Sequence, residues 1–146
     1  MIKVLFDLTG WQTNGRRGIG KYTINFAQSL VQRNDIDLSF IYTKRWNLTD
    51  LPSVITEYPI YSFEDGLTDR FDFLILSDPL CHDIDTLATS IKSCDSITTI
   101  FYDLIPLIFA KDYLKTAQAR LDYTKCLESL KVIDHFFCIS NSTEQD

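Results

Sequence analysis

The chain has 146 residues, 45% of them hydrophobic, and its 14 basic and 20 acidic side chains give a net charge of -6. This length and composition are sufficient for one domain with a buried core, whereas the acidic balance disfavours nucleic acid as a partner because phosphate binding needs a basic face. The apolar stretches are too short for a signal peptide or a membrane span, so a cytoplasmic location is expected.

Short apolar runs alternate with helical patterns along the chain, and each apolar run predicts a β-strand. The predicted strands comprise residues 2–8, 38–42, 73–76, 97–102 and 136–140, with a weaker strand signal between two prolines at 54–57. Several runs are apolar at nearly every position, which is typical of parallel strands covered by helices on both faces. We therefore predict an α/β fold with a doubly wound, mostly parallel sheet of the Rossmann-like type over residues 1–146.

Apolar residues recur at spacings of three and four in two further segments, and this spacing predicts two amphipathic helices that pack on the sheet. The first spans residues 19–31, and the second extends over about five turns near the end of the chain. Their apolar positions are Ile19, Tyr22, Phe26 and Leu30 in the first helix, and Leu114, Ala117, Leu121, Thr124, Leu127 and Leu130 in the second.

A glycine-rich stretch, GRRGIGKYT at residues 15–23, separates the first predicted strand from the first predicted helix. Its glycines follow the pattern G-x-x-G-x-G, which is not the dinucleotide fingerprint, and Tyr22 replaces the Ser or Thr of a phosphate-binding loop. Unpaired N–H groups and the helix dipole at this junction favour an anion or a sugar oxygen. The alternative, of equal weight, is a turn whose glycines only adopt left-handed backbone angles.

The cysteines and histidines give no sign of a metal site or a disulfide. Cys81, Cys94, Cys126 and Cys138 form no C-x-x-C pair, and the two histidines show no metal-ligand spacing. We expect reduced thiols that pack in the core. The neighbours Cys81 and His82 are disfavoured as a catalytic dyad, because adjacent side chains rarely point at each other and no orienting acid is implied.

Polar residues follow the ends of several predicted strands, where ligands bind in doubly wound sheets. These residues are Ser77-Asp78-Pro79, Tyr102-Asp103 and Ser140-Asn141-Ser142. A ligand site is therefore expected at this edge of the sheet, beside the glycine-rich stretch.

Three ordered segments together resemble the amino-terminal half of family 4 glycosyltransferases: GRRGIGKYT, then FYDLIPLIFAKDYL at 101–114, then FFCISNSTEQD at 136–146. That family has a GIGRYT-like loop, an HDLIPL-like or YDLIPL-like strand end before a long helix, and an ISxxTxxD-like segment. The resemblance spans nearly the whole chain, but between residues 35 and 87 only the strand pattern supports it.

The resemblance implies a retaining, metal-independent transfer of a sugar from a nucleotide-sugar donor by two facing Rossmann-like domains, the GT-B fold. The acceptor would be a growing bacterial polysaccharide or a lipid-linked glycan, which would bring the protein to the inner face of the cytoplasmic membrane. Residues 1–146 would be the acceptor-side domain, incomplete at its carboxyl end and inactive without the donor-binding domain. No cofactor is implied, because the nucleotide sugar is a substrate.

For the glycine-rich stretch, the resemblance implies contact with the donor phosphates or a sugar hydroxyl through the backbone N–H groups of Gly18, Ile19 and Gly20. The cations Arg16, Arg17 and Lys21 would assist, with solvated loop charges as the equally weighted alternative. Gly20→Val is then expected to abolish transfer while leaving the fold largely intact.

On the acceptor side, the resemblance implies sugar contacts by Tyr102, Asp103 and Ser140, and no complete set of catalytic residues. Many relatives have a histidine where this chain has Tyr102. A tyrosine is a poor proton acceptor near neutral pH, so we assign Tyr102 to binding and not to base catalysis. Asp103 ends a buried strand, and anchoring of the following loop is its favoured role over sugar recognition.

Two other classes of protein fit the same sequence. One is a complete, flavodoxin-like domain that binds a phosphate or another small ligand through the glycine-rich stretch and Asp7. The other is a noncatalytic interaction module whose apolar stretch 104–109 docks on a partner or a membrane surface.

Overall fold

The computed structural model describes residues 1–15 and 17–145, so Arg16, one of the predicted loop cations, and Asp146 lie outside the described residues. The strands are β1 (Ile2–Asp7), β2 (Ile36–Tyr42), β3 (Ile60–Ser62), β4 (Phe71–Leu76), β5 (Cys94–Phe101) and β6 (His135–Cys138). The helices are α1 (Thr9–Asn14), α2 (Gly18–Val31), α3 (Ser53–Thr56), α4 (Ile84–Ile91), α5 (Ile105–Ile108), α6 (Ala110–Tyr113), α7 (Ala117–Ser129) and α8 (Asn141–Gln145). Two short 3-10 turns cover Pro79–Cys81 and Leu130–Val132.

The six strands form one sheet in the order β3-β2-β1-β4-β5-β6, and every neighbouring pair is parallel. This is the usual Rossmann strand order, so the predicted α/β, doubly wound, Rossmann-like fold is confirmed. A flavodoxin-like sheet has the order 2-1-3-4-5, and the flavodoxin-like topology considered from the sequence is therefore wrong. The chain reverses direction across the sheet between β1 and β4.

Helices cover both faces of the sheet, which explains the continuous apolar runs. On one face, Phe6 and Phe40 pack with Ala27 of α2 and Ile55 of α3. The other face carries Leu5, Leu74, Leu76 and Ile97, which pack with Leu87 of α4. Each fully buried side chain of this size contributes about 1.5–3 kcal/mol to folding.

The strand predicted at 54–57 is wrong, because α3 occupies this segment. Pro52 precedes the helix, and Ile55 is fully buried in the core. The chain instead pairs with β2 at β3, where Ile60 is opposite Phe40. Burial of Ile55 on a helical turn thus outweighs the strand preference of the β-branched residues around it.

The prediction that the second amphipathic helix buries its apolar stripe against the sheet is also wrong. Helix α7 begins at Ala117, and Leu121 in the middle of the stripe is 51% exposed. The buried residue of this helix is Ser129, next to the 3-10 turn that follows. The first stripe is half-buried, with Tyr22 exposed and the core side formed by its neighbours Thr23, Ile24 and Ala27.

The glycine-rich stretch does not follow β1 directly, because the short helix α1 lies between them. Long-range hydrogen bonds hold α1 against the segment after β2. The Trp11 ring N–H donates to the Thr49 carbonyl at 2.9 Å. The Gln12 amide donates to the carbonyls of Thr43 and Trp46 at 2.8 and 2.7 Å. The chain therefore passes through α1 between the end of β1 and the glycine-rich stretch.

No helix within residues 1–15 and 17–145 combines the length and apolar character needed to cross a bilayer.

Candidate functional site

Asp7, the last residue of β1, is fully buried at the point where the sheet reverses direction. One carboxylate oxygen accepts hydrogen bonds from the Thr9 N–H at 2.8 Å and the Thr9 hydroxyl at 2.5 Å. The other accepts from the Ser77 N–H and hydroxyl, and contacts His82 Nε2, each at 3.1 Å. Asp7 therefore ties the ends of β1 and β4 to each other.

The surroundings of Asp7 favour its charged form. Burial opposes ionisation, but the charge of His82 and the hydrogen bonds from His82 and Thr9 outweigh it, so the pKa of Asp7 lies below its usual value. The Ser77 hydroxyl also accepts from the Gly10 N–H at 2.9 Å, which extends the network to α1. Asp7 is thus a structural anchor whose hydrogen-bonding capacity is occupied by the protein, not by a ligand.

A cavity of about 180 Å³ opens beyond the carboxyl ends of β4 and β5, beside the start of α2. The strand ends supply its floor, while α2, α5 and α7 supply its walls. The residues that line it include Ile19, Asp78, Phe101, Tyr102, Asp103, Pro106 and Tyr123. This is the edge of the sheet where ligands bind in Rossmann-like domains.

Two tyrosines that line this cavity have buried hydroxyls whose hydrogen-bonding capacity is unused. Both hydroxyls are buried, and among residues 1–15 and 17–145 neither makes a hydrogen bond of good geometry, although the Thr23 side chain lies close enough to Tyr102 to lower its pKa. An unpaired buried hydroxyl costs about 1–3 kcal/mol, so Tyr102 and Tyr123 are the polar side chains of the cavity lining whose hydrogen-bonding capacity the protein leaves unused. Burial, followed by the charge of Asp78, raises the pKa of Tyr102 against the lowering effect of the Thr23 side chain, so its phenol remains protonated and able to donate.

Asp78 adds a carboxyl group to the same cavity. Its Oδ1 accepts a hydrogen bond from the Leu80 N–H at 3.2 Å, which fixes it at the start of the 3-10 turn. Burial raises the pKa of Asp78, against the lowering effects of a hydrogen bond from Cys81 and the charge of His82. A carboxyl with a raised pKa is protonated more readily, and the protonated form can both donate and accept.

The structure divides the predicted donor-contact residues into two groups. Ile19 lines the cavity, Gly18 is exposed with open space around it, and the side chains of Arg17 and Lys21 are exposed. Gly20 differs, because it is buried against the backbone of Gly15.

The absence of a side chain at Gly20 allows the start of α2 to pack closely against the backbone of Gly15. A Cβ atom at Gly20 would lie 1.8 Å from the carbonyl oxygen of Gly15, so any larger residue must displace the backbone. The expectation that Gly20→Val leaves the fold intact is therefore wrong. Gly15 itself has φ 49°, in the left-handed region that favours glycine, so one loop glycine has the conformational role considered from the sequence.

The predicted acceptor-contact residues lie at neighbouring strand ends. Tyr102 and Asp103 line the cavity, and Asp103 Oδ1 also accepts from the Ile105 N–H at 2.9 Å, which holds the start of α5. Ser140 is exposed and accepts from the Thr143 N–H at 3.2 Å at the start of α8. The Thr143 hydroxyl donates to the Tyr102 carbonyl at 2.8 Å, so Ser140 is linked to the cavity through Thr143.

Sequence reasoning missed the contributions of Tyr123 and His82. Tyr123 lies on α7, where helical spacing does not indicate which side faces the cavity. His82 approaches Asp7 across 75 positions of sequence, and its ring lies 4.8 Å from that of Phe63. Asp78 could be identified from the sequence, because it lies in the polar stretch that follows β4.

Cys81 and His82 do not form a catalytic dyad, because the His82 ring points to Asp7 whereas the Cys81 thiol lies 3.3 Å from Asp78 Oδ2. Burial, and then the charge of Asp78, raise the pKa of the Cys81 thiol. We expect iodoacetamide at pH 8 to alkylate Cys81 at least about 100-fold more slowly in the native chain than in the urea-unfolded chain. Peptide mass spectrometry measures both rates, and equal rates would contradict this description of the thiol.

The fold and the cavity together define a Rossmann-like α/β domain with a candidate ligand site at the carboxyl edge of its sheet. In the part of the chain that the structure describes, no three His, Cys, Asp or Glu side chains are grouped so that they could hold a metal ion. Comparison with protein-family models, with curated proteins and with solved structures finds no significant match to this chain.

Proposed function

We propose that this chain is the acceptor-side domain of a family 4 glycosyltransferase with a GT-B fold. The enzyme would be retaining and metal-independent, and would move a sugar from a nucleotide-sugar donor to a growing polysaccharide or lipid-linked glycan. The proposal is supported by the sequence motifs and by the location of these motifs in the fold. The glycine-rich stretch, the segment after β5 and the segment after β6 meet at one edge of the sheet.

The observation that carries the proposal is the cavity that Asp78, Tyr102 and Tyr123 line together, with two tyrosine hydroxyls whose hydrogen-bonding capacity is unused. A sugar ring offers hydroxyls that donate and accept, and apolar C–H faces that pack on side chains such as Phe101. The cavity is smaller than the 300–1,000 Å³ or so of pockets for drug-sized ligands, so one sugar unit fits it better than a longer glycan.

The donor side of the reaction would use the start of α2. The backbone at Gly18 is exposed at the start of a 14-residue helix, with Arg17 and Lys21 beside it. The first N–H groups of a helix have no intrahelical partner, and the helix dipole adds positive potential there. Such groups stabilise the negative charge that develops on a departing nucleoside diphosphate. In this proposal the nucleotide itself is held mainly by a second domain, so residues 1–146 alone would have no transferase activity.

We expect the chain to bind simple methyl glycosides weakly, and expect Tyr102→Phe and Tyr123→Phe each to weaken that binding about fivefold to tenfold. Each variant removes one hydrogen bond to the sugar, worth about 1–1.5 kcal/mol. The melting temperature should stay the same or rise, because each hydroxyl is unpaired in the free protein. Saturation-transfer NMR and calorimetry measure the two quantities.

Tyr113→Phe is the matched control, because Tyr113 is 60% exposed and the same atom is removed. Its glycoside affinity should equal that of the unchanged chain. Equal losses in all three variants, or no glycoside binding by the unchanged chain, would count against an acceptor site at this cavity.

A phosphate-binding module is the second candidate function, and the exposed start of α2 with Arg17 and Lys21 favours it. It predicts that residues 1–146 bind inorganic pyrophosphate without any partner domain. That affinity would fall in Arg17→Ala and Lys21→Ala and would not change in Tyr123→Phe. Glycoside binding distinguishes this function from the glycosyltransferase, because a phosphate module has no use for the two tyrosine hydroxyls.

A further inference from the structure

The cavity beyond β4 and β5 has an acidic lining. The carboxyl groups of Asp78 and Asp103 belong to it, and the other lining residues are aliphatic, aromatic or proline. In the part of the chain that the structure describes, no lysine, arginine or histidine lines this cavity. The lining therefore offers negative charge and hydrogen-bond acceptors, but no cation.

The protein leaves both of these carboxyl groups without a cationic partner. Asp78 and Asp103 each accept a backbone N–H at the start of the helical turn that follows them. Neither forms an ion pair with any residue in the ranges 1–15 and 17–145. The imidazole of His82, four residues after Asp78, contacts Asp7 instead, at 3.1 Å. A ligand that displaces water from the cavity would therefore desolvate two carboxyl groups that have no cation to compensate them.

The charge of these carboxyl groups also acts on the two tyrosine hydroxyls of the cavity. Burial is the largest cause of the raised pKa of both phenols. The next cause is the charge of Asp78 for Tyr102 and the charge of Asp103 for Tyr123. The negative potential that opposes a phenolate would oppose any other anion in the cavity, and would favour a cation. Each phenol oxygen can accept a hydrogen bond from a cationic donor.

The positive charges at the start of α2 lie outside the cavity. Arg17 and Lys21 flank Ile19, which lines the cavity, but their own side chains are exposed and do not line it. Within residues 1–15 and 17–145, neither of these cations forms an ion pair with Asp78 or Asp103. A phosphate is therefore expected at the start of α2, and not in the cavity.

We propose that the cavity selects its sugar by charge: it takes a sugar with a protonated amine in preference to a neutral sugar, and rejects a sugar with a carboxylate. The inference rests on the proposed function, which makes the ligand of this cavity a sugar. An ammonium group has three N–H donors, and a hydrogen bond from it to a carboxylate is about twice as strong as one between neutral groups. A hydroxyl at the same ring position leaves the carboxyl charge uncompensated, and a carboxylate adds negative charge to an acidic lining.

The test compares the affinity of the chain for methyl glucoside, its 2-amino and 6-amino analogues, and methyl glucuronide, by NMR titration at pH 6. Each amino analogue carries an ammonium group in place of one hydroxyl. We expect at least one amino analogue to bind about tenfold more tightly than the glucoside, and the glucuronide to bind at least about fivefold more weakly. Added salt should reduce both differences.

The variants Asp78→Asn and Asp103→Asn should each reduce the preference for the amine at least about threefold, and together should abolish it. Asparagine keeps an acceptor oxygen for the Leu80 or Ile105 N–H but carries no charge. Circular dichroism should show that both variants fold.

Asp112→Asn is the matched control, because it removes the same charge from an exposed position of α6 that does not line the cavity. Its preference for the amine should equal that of the unchanged chain. The proposal is overturned if Asp112→Asn loses as much preference as Asp78→Asn, because the net charge of -6 would then be the cause. Glucoside binding without any preference for the amino analogues overturns this inference alone. No binding of any glycoside overturns the proposed acceptor site as well.

Discussion

Asp7→Asn lowers the free energy of unfolding by about 1–3 kcal/mol, the loss expected when a buried hydrogen-bonding group is left without its partner. An asparagine side chain has the same shape but a single acceptor oxygen. Its NH₂ group would face either the Thr9 N–H or the Ser77 N–H, which now donate to the carboxylate. One of these buried donors is then left unpaired, and His82 loses its charged partner. Urea denaturation followed by circular dichroism measures the loss.

The pH dependence identifies the carboxylate charge as the cause. The pKa of Asp7 is lower in the folded chain than its usual value, so its charge stabilises the fold above the unfolded pKa of about 3.9. This stabilisation disappears as the pH falls through the folded pKa. The difference between the unchanged chain and Asp7→Asn should therefore shrink in acid. Asp37→Asn, on an exposed position of β2, is the control and should change little. A small, pH-independent effect at Asp7 would contradict its role as an anchor.

Gly20→Ala destabilises the chain by about 3 kcal/mol, the upper end of the usual cost of overpacking. The added Cβ would lie 1.8 Å from the Gly15 carbonyl oxygen and 2.7 Å from its carbon, and neither atom belongs to a side chain that can rotate away. The turn between α1 and α2 must move instead. Chemical denaturation measures the cost, and crystal structures of the variant would show the displaced turn.

Gly18→Ala is the matched control for this prediction. It lies two residues earlier in the same helix, and a Cβ there meets nothing within 4 Å. Alanine should be neutral or stabilise the chain by up to about 1 kcal/mol, because it reduces the freedom of the unfolded chain. If Gly20→Ala proves as stable as Gly18→Ala, the packing role fails, and close approach of a ligand becomes the reason for glycine at residue 20.

The fold could be predicted wherever apolar patterning is local and long. The strands β1, β2, β4, β5 and β6 each carry an apolar run that must be covered on both faces, and the run itself reveals this. β3 has only three residues after Pro59, which is too short to show a pattern. The segment before it was misassigned because Val54 and Ile55 favour strands, while tertiary burial on one helical turn decides their structure.

The sequence predicted where the candidate site lies, at the ends of the strands, but not which side chains meet there. Strand ends in a doubly wound sheet converge, so Tyr102 and Asp103 were found from the ends of the apolar runs. The pairing of Asp7 with His82 was not predictable, because it depends on how residues far apart in sequence meet. Tyr123 reaches the cavity from α7, and the sequence spacing there indicated a different buried side. Gly20 looked suited to ligand approach because a sequence cannot show that Gly15 is already close to it.

The hydrogen bonds that hold α1 have a spectroscopic consequence. The chain has two tryptophans, Trp11 and Trp46, and Gln12 bonds to the carbonyl of Trp46 while the Trp11 indole bonds to Thr49. Both fluorophores therefore report on the corner between α1 and the segment after β2, in the half of the sheet away from β6. Intrinsic fluorescence will follow the release of this corner, whereas far-ultraviolet dichroism averages over all helices and strands. Coincidence of the two transitions would show that the corner and the sheet unfold as one cooperative unit.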